Sequence, residues 1–228
     1  MYFPPSKKLS GVTLSMPMIF GCDKSMSLLR TLSVLLTENI LLCMLMNERT
    51  SREYKEVMAD CKKLFAKKTH DYGTAWRILR LPSITDQIYI KAQRIRSIQE
   101  KGVQKVEDDI KDDFIGIINY CLMAMIQIKL NKSTETELKW HEVEPLYDEA
   151  ASETFSLLED KNHDYDEAWR MMRVSSMTDI ILMKLLRVKQ IEDNQGKTLA
   201  SEGVKANYQD MINYSVFCLI KMSIADGQ

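Results

Sequence analysis

Asp86, Lys91 and Arg94 have the types and spacing of a phosphate-binding helix face. At 100° per residue they span about 140° of arc, with Arg94 between the other two. Ile88, Ala92 and Ile95 occupy a different arc and can face a core. Lysine offers a point charge to phosphate oxygens, and arginine offers a planar fork. The same set recurs 93 residues later as Asp179, Lys184 and Arg187. A salt-bridged solvent face uses the same residue types, but it does not require the acid and both cations at both places.

Just upstream, H-D-Y-x-x-A-W-R is written twice, at His70–Arg77 and His163–Arg170. His70 and His163 could bond a phosphate or relay a proton near neutral pH. Tyr72 and Tyr165 offer rings that stack on a base or fill a core. Trp76 has the spacing of a core residue. Arg77 and Arg170 are candidate phosphate contacts, with the neighbouring tryptophan as the alternative partner.

Downstream, Asp112, Gly116 and Asn119 share one helix face, as do Ala206, Asp210 and Asn213. Carboxylates one turn apart repel unless a cation sits between them, so an acid pair on such a face suggests Mg²⁺. The first stretch lacks the second acid and the second stretch lacks the first, although Asp109 and Asp113 add acid nearby. The candidate metal ligands are therefore Asp86, Asp112, Asp179 and Asp210, with Asn119 and Asn213 as nucleotide contacts. Glu56/Asp60 and Glu149/Glu153 also sit one turn apart; with Lys55, Lys62 and Lys63 nearby they read as a solvated face.

These sites belong to a duplication. Lys68–Ile95 and Lys161–Val188 are identical at 14 of 28 positions without a gap, where chance gives about one or two. Most of the shared positions are polar or aromatic. Each copy has one plan: a helix over about Ser51–Lys68 or Pro145–Lys161, then a break near Asp71–Gly73 or Asp164–Asp166. A second helix follows from Ser83 or Ser176 to near Gly102 or Gly196. A third spans about Val106–Leu130 or Ser201–Ile224. No segment alternates at period two, so no sheet is expected. The expected fold is all-α, a helical bundle of two tandem repeats related by a pseudo-two-fold, a dimer within one chain. Residues 47–131 form repeat 1, 132–144 a linker and 145–228 repeat 2.

Bulk composition narrows the function. The net charge of −1 gives no large field for nucleic acid or anionic lipid. Five cysteines without a C-x-x-C spacing read as reduced thiols of a cytoplasmic protein. Cys61, Cys121 and Cys218 sit inside helical patterns. Residues 1–46 have no counterpart in the repeat. They read as an extension or a mis-assigned start, with an extra helix or a targeting segment as alternatives. Leu28–Met46 has the length of a membrane span, but Arg30, Glu38 and Asn39 make it a poor one. The phosphate-loop, dinucleotide, nucleophile-elbow and zinc-protease signatures are missing.

K-x-H-D-Y-G-x-A-W-R, then S-x-T-D-x-x-x-x-K-x-x-R-I, then an acidic helix ending in I-N-Y, resembles nucleotide modification associated domain 1. That small helical domain of bacteria and phages was formerly a numbered domain of unknown function. Over about residues 50–225 the chain looks like its tandem two-copy form. A more distant likeness is to the all-α NTP pyrophosphatases of the MazG and dimeric dUTPase type. Their D-x-x-x-D-x-x-N-Y would fall on Asp112, Gly116, Asn119 and Tyr120, and on Ala206, Asp210, Asn213 and Tyr214. The resemblance implies a nucleotide or dNTP partner, Mg²⁺, and hydrolysis by metal-activated water. In that reading Lys91, Arg94, Lys184 and Arg187 hold phosphates. Tyr72 and Tyr165 contact the base, and the split acids make the chemistry need both halves. The alternative is a non-catalytic binding or scaffold module whose polar residues join the copies.

Overall fold

In the computed structural model, which describes residues 48–130, 133, 135–165, 167–197 and 203–226, all regular structure is helical. The expectations for residues 1–46, with Cys22 and Cys43, lie outside the described residues. The order is α1 (48–72), a 3₁₀ turn (Ala75–Ile78), α2 (Leu81–Lys101) and α3 (Ile110–Lys129). It then repeats as α4 (Trp140–Tyr165), a 3₁₀ turn (Ala168–Met171), α5 (Val174–Asp193) and α6 (Val204–Asp226). Among the described residues no helix is long and apolar enough to cross a membrane.

Local chemistry sets the helix limits. α2 begins two residues before Ser83, because Pro82 tolerates the first turn, where its missing N–H has no partner to lose. It stops at Gly102, whose φ of 65° closes the helix with an N–H donated to the Ile98 carbonyl. α3 starts at Ile110 rather than Val106. The Asp109 side chain accepts from the Lys111 N–H, and Asp112 and Asp113 lie in the positive first turn. α4 starts at Trp140, ahead of Pro145. α1 runs through His70-Asp71-Tyr72 before Gly73, at φ 62°, turns the chain. In the second copy the left-handed residue is Glu167, at φ 54°.

Ile84, Ile88, Ala92 and Ile95 are fully buried on α2. Their counterparts Met177, Ile181, Leu185 and Val188 are fully buried on α5. Each such residue contributes about 1.5–3 kcal/mol when removed from water, the alanine less. α2 packs on α3 and α5, and α6 packs on α3 and α5. The halves therefore share one core. Cys61, Cys121 and Cys218 are buried free thiols within it.

Three kinds of polar contact across the seam come in reciprocal pairs. Tyr54 donates its hydroxyl to Asn213 Oδ1 at 3.0 Å, and Tyr147 donates to Asn119 Oδ1 at 3.0 Å. Thr85 donates to Glu192 at 2.8 Å, and Gln99 donates to Thr178 at 3.1 Å. Asp86 pairs with Lys189 at 2.6 Å, and Asp179 with Arg96 at 3.7 Å. In every case the second contact is the first with the two halves exchanged. That is the pattern of an isologous interface, in which i meets j and j meets i.

The seam departs from this pattern where Glu192 replaces Gln99. Burial raises the Glu192 carboxyl above its ordinary value, although Thr85 and Tyr208 bond the charged form. A raised carboxyl favours the folded state at low pH, and that contribution is lost as pH rises through the folded pKa. Glu192→Gln removes the charge and restores the residue type that works opposite Thr178. The variant is expected to melt above the parent at pH 7. Its advantage should shrink as pH falls toward 4.5, followed by circular dichroism melts across that range.

Candidate functional site

The doubled A-W-R forms each 3₁₀ turn, and its arginine anchors the turn. Arg77 donates to the carbonyls of Ser133 and Glu135 at 3.0–3.2 Å and to Gln127. Gln127 returns donors to the carbonyls of Arg77 and Leu79. In the second copy Lys221 stands at the place of Gln127 and donates to the Arg170 carbonyl. Arg170 donates to Glu167 at 2.5 Å and to Thr50 and Glu53 at 2.7 Å. Burial alone would raise the Glu53 carboxyl, but Arg170 and Arg49 hold it below its usual range. Trp76 and Trp169 are buried, and Trp169 stacks on Phe217 at 4.2 Å. Arg77 and Arg170 are thus spent on the fold.

Lys91 lines a cleft between the end of α1, the middle of α2 and the start of α3, and Arg94 stands behind it on Asp113. Its volume is about 430 Å³, and its lining includes Lys68, Lys91, Asp112, Asp113, Asn119 and Tyr120. Asp113 is buried and accepts from Arg94 and, at 3.4 Å, from Lys91. Asp112 is exposed at the rim. Lys91 lies flat across Gly116: a Cβ there would stand 2.5 Å from its Cε and 2.9 Å from its Nζ. Asn119 is buried, and its amide is held by Tyr147 and by the Cys61 carbonyl at 3.2 Å.

The second half gathers the same elements and fills them differently. Position 116 is matched by Asp210, whose carboxylate bridges Lys161 at 2.7 Å and Lys184. Burial alone would raise that carboxyl, but the two lysines reverse the effect and hold it low. Asp113 is matched by Asn207, which donates to the Gly203 carbonyl instead. Arg187, the counterpart of Arg94, is exposed. Asn213 is buried against Tyr54.

The H-D-Y segment has no packing role in the first copy. His70 has 91% of its side chain exposed, and among the described residues its polar contact is with Asp71, at 3.5 Å. Tyr72 is 75% exposed and Tyr165 is 70% exposed. Lys68 and Tyr72 are four residues apart on α1, as Lys161 and Tyr165 are on α4, so each pair shares a helix face. Tyr72 therefore stands one turn, about 5.4 Å, beyond a lysine of the cleft. The side chain of His163 lies outside the described residues.

The four candidate metal ligands are not brought together. Asp86 and Asp179 serve the seam, Asp210 is held by two lysines, and Asp112 stands at the first cleft. Among the described residues no three His, Cys, Asp or Glu side chains gather as a metal site. The donor set does not fit a resident Mg²⁺ ion, which needs carboxylates free of counter-ions. Sequence reasoning left out Lys68, Lys161 and the role of Asp113. The two lysines were visible as a shared position of the repeat.

Two segments, residues 68–128 and 161–222, match the family model of nucleotide modification associated domain 1, and together they exceed half of the chain. The distant likeness to the all-α NTP pyrophosphatases is not confirmed. No curated protein and no solved structure matches the chain.

Proposed function

Since the chain belongs to the nucleotide modification associated domain 1 family, we propose that it binds a nucleotide by its phosphates in the first-half cleft. One observation carries this: Lys68 and Lys91, which come from two helices, line one cleft of about 430 Å³, and Arg94 pairs with Asp113 of its lining. That volume lies within the range of small-molecule sites. Lys68 and Lys91 meet phosphate oxygens, and Arg94 holds Asp113 beneath them. Tyr72 stacks on the base from the rim, with His70 beside it. Mg²⁺ enters this picture only as an ion carried on the phosphates.

Thermal-shift measurements with each NTP and dNTP, with and without Mg²⁺, test the proposal. A ligand at about 100 times its Kd adds about 2.7 kcal/mol of stability. Lys91→Ala should abolish that gain. A flat response to every nucleotide would rule the function out.

A second reading, a helical scaffold module, is favoured by the seam. Asp86, Asp179, Asn119 and Asn213 all tie one half to the other. Under it the same screen returns no shift, and Lys91→Ala changes nothing but packing.

A further inference from the structure

The two halves place corresponding lysines around different residues. In the second half, the Asp210 carboxylate sits between Lys161 and Lys184. In the first, Gly116 has no side chain to put there: Lys91 lies across it, and Lys68 lines the same cleft. Lys91 leans to Asp113 at 3.4 Å, a long contact, and Asp113 is already met by Arg94. Lys68 is exposed and makes no ion pair among the described residues. A carboxylate oxygen and a phosphate oxygen take the same ammonium contacts.

We infer that Asp210 is a built-in anion occupying the seat that a phosphoryl group takes in the first half. The chain then has one phosphate seat beside Gly116, vacated when the flexible Lys91 side chain swings up to face Lys68, and one seat filled by its own side chain. This rests on the first-half cleft being the nucleotide site and adds where the phosphate lies and how many bind. The acids of the first cleft do not close the seat. Asp113 is neutralised from α2, while Asp108 and Asp112 are exposed, where water and salt screen them.

Titration calorimetry on the full chain, with inorganic pyrophosphate and separately with dATP, tests the inference. One pyrophosphate should bind per chain. Lys68→Ala, at an exposed position that the fold does not need, should weaken it at least tenfold. Gly116→Asp should abolish it by copying the second half. Asp210→Ala should raise the stoichiometry to two. Parent stoichiometry of zero or two, Lys68→Ala binding like the parent, or Asp210→Ala staying at one would each overturn the inference. If pyrophosphate behaves as expected and dATP does not bind, the seat stands and the nucleotide function falls. If dATP binds and ignores both Lys68→Ala and Gly116→Asp, the function stands and the seat falls.

Discussion

Replacing Arg170 by alanine is expected to destabilise the chain by about 3–5 kcal/mol, the usual cost of stranding one partner of a buried ion pair. Glu167 has only 2% of its side chain exposed, and it depends on Arg170 and Thr50 for hydrogen bonds. Glu53 loses a partner at 2.7 Å in the same step. Its carboxyl is held low in the folded chain, so that part of the stability exists above the ordinary carboxylate range and is lost as pH falls. The deficit of Arg170→Ala should therefore narrow in acid. Arg77→Ala supplies the contrast. Arg77 bonds backbone carbonyls and a glutamine, so its loss strands no charge and should cost about 1–3 kcal/mol. Denaturant titration of both variants measures the difference. Equal losses would show that the stranded carboxylate is not the cause.

These two arginines also show what can be learned from the sequence. Retention in both copies marked them as important, but it could not separate a ligand contact from a structural bond. Their partners lie 50 residues or more away along the chain for Arg77, and 117 or more for Glu53 and Thr50. Asp86 and Asp179 were hidden for the same reason: their partners Lys189 and Arg96 occupy the other repeat. The helices were legible because their signals are local. The apolar stripe of α2 and the Gly102 stop each act within a few residues, whereas the Asp109 cap that starts α3 was read only as nearby acid. Lys91 and Arg94 were placed on the cleft helix by spacing alone. The role of Gly116 was not, because a residue without a side chain gains its meaning from Lys91, 25 positions earlier. The expectation of one site shared by both halves also changes. Asp113 meets Arg94 and Lys91, and Asp210 meets Lys161 and Lys184, each within its own repeat.

A fragment from Met44 to Leu130 should fold only as a two-fold homodimer. The Tyr–Asn, Thr–Gln/Glu and Asp–Arg/Lys contacts of the seam are reciprocal, so the fragment carries a counterpart for each of these three. Tyr54 of one molecule would meet Asn119 of the other, copying Tyr147 with Asn119 in the chain. Thr85 would meet Gln99, copying Thr178 with Gln99, and Asp86 would meet Arg96, copying Asp179 with Arg96. As a monomer the fragment would expose the faces of α2 and α3 that pack on α5 and α6. Apolar faces of that size are not stable in water for a unit of this length. Sedimentation should give twice the fragment mass, and the melting temperature should rise with concentration, as linked folding and association require. Asp86→Arg would set like charges against Arg96 and should weaken the dimer, and with it the fold. A folded, concentration-independent monomer would refute the two-fold seam. Both clefts of the homodimer would carry Gly116, so it should bind two pyrophosphates where the full chain binds one.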